Sequence, residues 1–235
     1  MIDDFPQFLV SALYIVRGTG WTAALILGAM SLGLLVGMPL AALQVYGPKP
    51  LRAPLAAYVW FFRGVPILVL LYLVYFGLFT YAQGPFEGFS WARSAFSPFS
   101  ASLVALGLTS GAYQSQIFRG AILSLPEGQY RAAMALGFTR FGAVTRIVLP
   151  QAARLSIPAW SNEYSILLKD SAIAYVLGTS EIMNRARSIA FLSNRILTFF
   201  LLAGILYLLL TWLGVRALRA LERRLAIPGL GQGEA

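Results

Sequence analysis

The chain has 235 residues, of which 58% are hydrophobic and only 11% are charged. Because soluble domains carry about 25% charged residues, this composition excludes an ordinary soluble domain and predicts a membrane protein. Lysine and arginine outnumber aspartate and glutamate by 18 to 9, and the absence of cysteine and histidine excludes disulfides, thiol nucleophiles, imidazole bases and the usual zinc ligands.

Long apolar runs predict the membrane spans, since one crossing takes about 20 residues. Five runs meet this length along the chain, which predicts an all-α membrane protein with a single transmembrane domain over residues 1–235. The predicted spans are 19–46, 55–82, 99–122, 155–178 and 196–218. Residues 5–16 are apolar but too short to cross, so they are expected along the interface. Residues 179–190 are expected to form a short helix outside the bilayer.

The distribution of basic residues predicts the orientation of these spans. One face holds segments 47–54, 119–154 and 216–224, with two, five and four basic residues. The other face holds five, namely Arg17, Arg93, Arg185, Arg187 and Arg195. Because basic loops stay in the cytoplasm, we expect a multi-pass protein of the cell (inner) membrane with its N-terminus outside and its C-terminus inside. Three of the five outer arginines are clustered, at 185, 187 and 195, against this rule.

The predicted cytoplasmic loop 123–150 is basic and favours helices. Pro126 suits a first helical position, and Glu127 suits the positive end of the helix dipole. Gly137 is expected just after the end of this helix. Thr139 is expected to cap a second helix, which should end at Pro150.

The same loop carries the residues of a known motif. From Arg131 it reads RAA, three residues, Gly137, nine residues, then Ile147, one residue, Leu149 and Pro150. This resembles the EAA loop in the membrane subunits of ATP-binding-cassette (ABC) importers. Further segments resemble the polar-amino-acid permease branch of that family: FFRGVP at 61–66, SGAYQSQIFRGAI at 110–122, SNEYSILLKDSA at 161–172 and LERRL at 221–225.

The resemblance implies the type I ABC importer permease fold and a multi-subunit assembly. The implied partners are two cytoplasmic ATP-binding subunits, a second permease copy or a homologous permease, and an external solute-binding protein. The loop would be the coupling segment that docks on the ATPase, through Glu127, Arg131, Ala132, Ala133 and Gly137. The chain has no phosphate-binding G-x-x-x-x-G-K-[ST] loop. We therefore expect a transport subunit rather than an enzyme, with no cofactor in this chain and with ATP and Mg bound by the partner ATPase.

The first position of the motif departs from the family pattern. Arg131 stands where the family has a glutamate. Glu127, one helical turn earlier, could supply the carboxylate, or the partner ATPase could carry an acid that matches Arg131.

Charges within predicted spans are costly and indicate function. Arg63 and Glu163 lie about 13 Å and about 12 Å from the cytoplasmic edge at 1.5 Å per residue, near the middle of a core about 30 Å thick. Such a cation and anion could bind the carboxylate and amino groups of an amino acid, and the resemblance adds Asn162 to this site. Alternatively the two charges neutralise each other, or Arg63 marks a helix break beside Gly64 and Pro66.

Other polar residues in the spans have simpler interpretations. Lys169 and Asp170 lie nearer the outer edge and are expected to form a gating or packing ion pair. Tyr113, Gln114 and Gln116 are expected to make hydrogen bonds between helices, although the family often has a glutamate at position 116.

The leading hypothesis is an ATP-driven importer subunit that translocates polar amino acids delivered by the external binding protein. One alternative is a permease for another small polar solute. Another is a self-contained pore or ATP-independent carrier, which would need no ATPase-docking loop. A rival from another class is a membrane-anchored regulator with 126–150 as a helix-turn-helix. Both halves of this segment are tethered within a few residues of a span, which leaves little freedom to enter a DNA groove, so we expect no nucleic-acid partner.

Overall fold

A computed structural model describes residues 4–86, 88–89, 91 and 95–226, so the predicted outer arginine at position 93 lies outside the described residues. Within these ranges the chain is helical and contains no strand. The α-helices are α1 (Asp4–Val16), α2 (Gly18–Tyr46), α3 (Arg52–Gly64), α4 (Ile67–Tyr72), α5 (Thr80–Gln83), α6 (Pro98–Ser124), α7 (Glu127–Ala135), α8 (Arg140–Ala143), α9 (Leu149–Leu155), α10 (Ile157–Ser171), α11 (Ile182–Leu192) and α12 (Ile196–Leu225). Shorter 3₁₀ or π-helical turns cover Lys49–Leu51, Leu73–Phe79, Gly84–Phe86, Val144–Val148 and Ala172–Leu177.

Two of the described helices are long and apolar enough to cross a membrane, Pro6–Tyr46 and Ile196–Leu225, and the bent pair Lys49–Gly64 and Ile67–Gln83 would make a third. Helix α6 is long enough but less apolar than these, because it carries polar side chains that are buried against neighbouring helices. These side chains are Ser102, Thr109, Ser110, Gln114 and Ser115. A helix surrounded by other helices does not need a lipid-compatible surface. The count of five crossings therefore stays a prediction.

Two segments differ from the expected helices. The first is 5–16, which runs on into α2 as one helix from Pro6 to Tyr46, with Arg17 N donating to Leu13 O at 3.0 Å. The second is 55–82, which bends by 107° after Gly64 instead of forming one straight helix. Val65 adopts an extended conformation there, because a proline disfavours helical geometry in the residue before it and has no N–H of its own. This is the break beside Arg63 that the sequence offered as an alternative.

Glycines allow α2 and α6 to cross closely. A Cβ added to Gly37 would lie 2.8 Å from Gly111 O, and one on Gly107 would lie 2.6 Å from the Leu32 side chain. Both helices space their glycines four residues apart, as Gly33–Gly37 and Gly107–Gly111. This small-xxx-small pattern lets the backbones approach.

Residues 123–150, which we call the coupling loop after the predicted role, form the two predicted helices, but the second helix does not end where predicted. Phe138 N donates to Ala133 O at 3.1 Å across Gly137, whose φ is +85°. Gly142 N donates to the Thr139 side chain at 3.1 Å. These observations confirm both caps. The prediction that the second helix ends at Pro150 is wrong: it continues through π-helical turns at Val144–Val148 to Leu155. The wider π-helical turns leave room for the ring of Pro150. Pro150 has no N–H, so it has no backbone donor that must find an acceptor in the preceding turn.

Candidate translocation site and coupling surface

A basic cleft lies between α2, α3 and α6. Its volume is about 550 Å³, and its polar or aromatic lining comprises Gln44, Arg52, Trp60, Arg63, Gln116 and Arg119. Arg63 is exposed near the end of α3, with its guanidinium carbon 4.9 Å from the centre of the Tyr113 ring. The cleft therefore presents three cations and no carboxylate, which suits an anionic group.

Glu163 occupies a separate, buried environment. It is 4% exposed, and Ser110 Oγ donates to its Oε1 at 2.8 Å. Gln114 Nε2 in turn donates to Ser110 Oγ at 3.0 Å and to Met30 O at 3.1 Å. The carboxylate is thus the end of a hydrogen-bonded chain that joins α10, α6 and α2, and this chain makes the interior of the bundle polar.

The predicted interhelical hydrogen bonds are confirmed for both glutamines. Gln114 reaches Met30 O on α2, and Gln116 Nε2 donates to Gln44 Oε1 on the same helix at 3.1 Å. Gln114 Oε1 is buried without a hydrogen-bond partner among the described residues. An unpaired buried acceptor beside the Glu163 chain can accept a hydrogen bond from water or from a polar solute.

The charged residues predicted for the site are not joined into one pocket. No ion pair within 4.0 Å connects Arg63 to Glu163 in the part of the chain described here, so the two charges do not neutralise each other by direct contact. Asn162 is exposed whereas Glu163 is buried, because consecutive residues of a helix leave it in different directions. A role for these three side chains in solute binding stays a prediction.

Lys169 and Asp170 do not form the expected pair in this conformation. Lys169 is exposed and Asp170 is half-buried, and no contact within 4.0 Å joins their charged groups in the described ranges. Neighbouring residues on a helix do not face each other. A gating role for these two residues stays a prediction.

The coupling loop presents an exposed surface around Gly137. Arg131 Nη2 donates to Glu127 Oε2 at 2.6 Å within α7, Ala132 is exposed, and Ala133 is buried under this helix. Two large apolar side chains flank the turn, and Leu136 and Phe141 are each 79% exposed. Apolar side chains this exposed on a polar loop are typical of a protein–protein contact.

Glu181 is a buried carboxylate that sequence reasoning did not single out. It caps α11 by accepting from Asn184 N at 2.6 Å and Met183 N at 2.8 Å, and it also accepts from Tyr207 OH at 2.5 Å. Burial raises the pKa of Glu181 to about 7, and these hydrogen bonds act in the opposite direction. Its position just before an amphipathic helix was the available signal, but glutamate is an uncommon N-cap residue.

Comparisons with known proteins agree with these features. Residues 32–227 match the family described as the binding-protein-dependent transport system inner membrane component. The chain is 36% identical over 218 residues to the octopine transport system permease protein OccQ of Rhizobium meliloti, covering 92% of each chain. It is 33% identical over 229 residues to the histidine/lysine/arginine/ornithine transport system permease protein HisM of Salmonella typhimurium, covering 95% of this chain and 97% of that protein.

Solved structures share the fold. The crystal structure of an amino acid ABC transporter with histidines superposes with a TM-score of 0.78 at 29% identity, covering 94% of this chain and 98% of that one. An inward-facing structure of the MetNI methionine ABC transporter superposes with a TM-score of 0.69 at 22% identity, covering 88% and 96%. The predicted type I importer permease fold is thereby confirmed. The chain belongs to the family of inner membrane components of binding-protein-dependent transport systems.

Proposed function

We propose that this chain is the membrane-spanning subunit of an ATP-driven importer of polar amino acids or their derivatives. The observation that carries the proposal is the similarity to OccQ and HisM, which extends over more than nine-tenths of this chain. Both relatives are named as transport permeases, one for octopine and one for basic amino acids and histidine. As a permease subunit, the chain is not itself the ATPase.

The assembly would contain two cytoplasmic ATP-binding subunits, a second permease and an external solute-binding protein. Leu136 and Phe141, on either side of Gly137, would enter the ATPase surface, with ATP and Mg bound by that partner. The exposure of these two side chains supports this role. The excess of basic residues on the coupling-loop face, eleven against five, supports an N-terminus outside and a C-terminus in the cytoplasm.

The solute path would use the basic cleft and the buried Glu163 chain in succession. Arg63 in the cleft would bind a carboxylate of the solute, and Glu163 with Asn162 would bind its amino group when α6 and α10 move. The unpaired Gln114 Oε1 supports a polar occupant beside Glu163. This movement would accompany rocking of the helices between outward and inward access.

Reconstitution tests the proposal. The chain is co-expressed with candidate ATP-binding and solute-binding subunits from the same organism, purified, and assayed in proteoliposomes for ATP-dependent uptake of octopine, arginine, histidine and glutamine. We expect uptake of at least one of these solutes and its loss in Gly137→Asp, because a side chain is less favourable than glycine at φ +85° and a carboxylate opposes an apolar contact at this turn. Failure of an ATPase to copurify, together with ATP-independent uptake that Gly137→Asp leaves intact, would refute the ATP-driven importer function.

A further inference from the structure

Helix α11 and the coupling loop lie at opposite ends of α2. A Cβ on Gly18, the first residue of α2, would meet Ile182 Cα of α11 at 2.9 Å. Tyr46, the last residue of α2, stacks on Tyr130 of the coupling loop with ring centres 4.9 Å apart. A helix of 29 residues is about 43 Å long at 1.5 Å per residue, which exceeds a hydrocarbon core of about 30 Å. Helix α11 therefore lies on the membrane face opposite to the coupling loop.

This helix is held rigidly on its inner side. Thr22 Oγ1 accepts from Ile182 N at 3.2 Å, and Glu181 caps the first turn. Arg185 Nη1 donates to Tyr14 O at 3.1 Å, and the guanidinium lies 4.6 Å from the centre of the Tyr14 ring. One of the three clustered arginines is thus used to fasten α11 to α1. Arg187, two residues further along α11, belongs to the same basic cluster.

The end of α11 and the turn that follows it carry a mixed basic and apolar surface. We call this surface the outer patch and define it as Arg187, Phe191, Leu192 and Arg195. All four residues are exposed, with Phe191 at 57% and Leu192 at 85%. The Arg187 guanidinium lies 5.5 Å from the Tyr175 ring centre and 5.6 Å from that of Phe191. No carboxylate of the described residues pairs with Arg187.

The chemistry of the outer patch indicates an acidic protein partner. Two rings hold the Arg187 cation in place, so little side-chain entropy is lost when a carboxylate binds it. Apolar side chains beside arginine are typical of interface centres. Tyr175 belongs to the turns that continue α10, the helix carrying Asn162 and Glu163. A protein seated on the outer patch would therefore sit over the end of the helix that bears the candidate solute site.

We propose that the outer patch is the docking surface for an acidic face of the external solute-binding protein. This inference rests on the proposed import function and assigns the partner to a surface. Charge complementarity would raise the association rate and fix the register of docking, while Phe191 and Leu192 would enter an apolar depression on the partner.

The first experiment uses the purified permease–ATPase complex in nanodiscs and titrates the solute-binding protein that supports uptake in the reconstitution. We expect Arg187→Glu to raise the concentration for half-maximal ATPase stimulation about tenfold, and Arg187→Gln to have a smaller effect of the same sign. Raising salt from about 50 mM to about 300 mM should weaken stimulation in the wild type more than in Arg187→Glu, because exposed charges are screened. Arg219→Glu, near the other end of α12, is the matched control and should not change the titration.

The second experiment exploits the absence of cysteine from this chain. Leu192→Cys labelled with benzophenone-maleimide should crosslink to the binding protein, and the peptide identified by mass spectrometry should contain or adjoin acidic residues. Leu213→Cys is the control, since Leu213 is also exposed, at 54%, and it should not crosslink to the binding protein. Crosslinking of Leu192→Cys to lipid alone, or identical titrations of Arg187→Glu and wild type, would overturn the docking assignment. ATPase copurification and uptake of the wild type are measured separately. A failure of the import function can therefore be distinguished from a failure of the docking assignment.

Discussion

Arg131 and Glu127 form an ion pair one turn apart on α7, with Nη2 and Oε2 separated by 2.6 Å. The arginine stands where the family resemblance predicts a glutamate, and the carboxylate of Glu127 lies one turn earlier. The side chains are 78% and 83% exposed, so water screens their attraction strongly. The pair therefore keeps an acid and a base on the exposed surface of α7 and contributes little to folding.

This weak contribution can be tested by Arg131→Ala. We expect the variant to lose about 0.5 kcal/mol of stability or less, the value of an exposed i,i+4 pair, as measured by the melting temperature of the detergent-purified chain. Copurification with the ATPase tests the other alternative, in which the partner carries the acid that pairs with Arg131. If the partner carries an acid that matches Arg131, the variant will retain less ATPase than the wild type at low salt, and the difference will shrink at high salt because salt screens exposed charges. Equal retention at low salt would exclude that contact.

The α2–α6 crossing should not tolerate a side chain at its centre. Gly37→Ala places a Cβ 2.8 Å from Gly111 O, and we expect it to destabilise the protein by about 1–3 kcal/mol through overpacking. Gly20→Ala is the matched control, because nothing lies within 4 Å of its added Cβ, and it should be neutral or stabilising. Thermal unfolding monitored by size-exclusion fluorescence compares the two. Equal melting temperatures would show that the helices do not cross as closely as described.

The buried Glu163 chain should matter more for transport than for assembly. Glu163→Gln keeps the shape and can still accept from Ser110, but it removes the negative charge, so we expect at least a tenfold loss of uptake with normal ATPase copurification. Ser165→Ala on the same helix is the control, since its hydroxyl donates within α10 to Ser161 O at 3.1 Å. Wild-type uptake by Glu163→Gln would rule out a charge-dependent role in solute binding.

The raised pKa of Glu181 predicts that the stability of the protein depends on pH. Its folded pKa of about 7 lies above the ordinary value of 4.5, so the folded state binds the proton more tightly than the unfolded chain. The resulting stabilisation is fully present below pH 4.5 and is lost as the pH rises through about 7. Glu181→Gln should remove this part of the dependence.

Melting temperatures of the wild type and Glu181→Gln between pH 4.5 and pH 8 check this prediction. The difference between the two proteins should shift in favour of the variant as the pH rises. A constant difference across the range would contradict the raised pKa, and it would show that the three hydrogen-bond donors keep the carboxylate charged.

Local chemistry predicted the coupling loop well. Gly137 at the end of α7 and Thr139 before α8 depend on hydrogen bonds within a few residues, so their sequence neighbours are enough to determine them. The outcome at Pro150 was different, because a π-helical turn accommodates the ring and the helix continues to Leu155. A proline excludes ordinary helical hydrogen bonding at one position, but it does not exclude a wider turn.

Hydropathy alone determined that this chain is a membrane protein, and motif spacing determined its resemblance to an importer permease. Only the tertiary structure decided how the polar residues are arranged: Glu163 is buried against Ser110, Arg63 opens into a basic cleft, and Asn162 is exposed. Depth along a span can be counted from the sequence at a fixed rise per residue. The direction in which a side chain points depends on how the helices pack, and that packing is set by contacts such as the α2–α6 crossing between residues far apart in the chain.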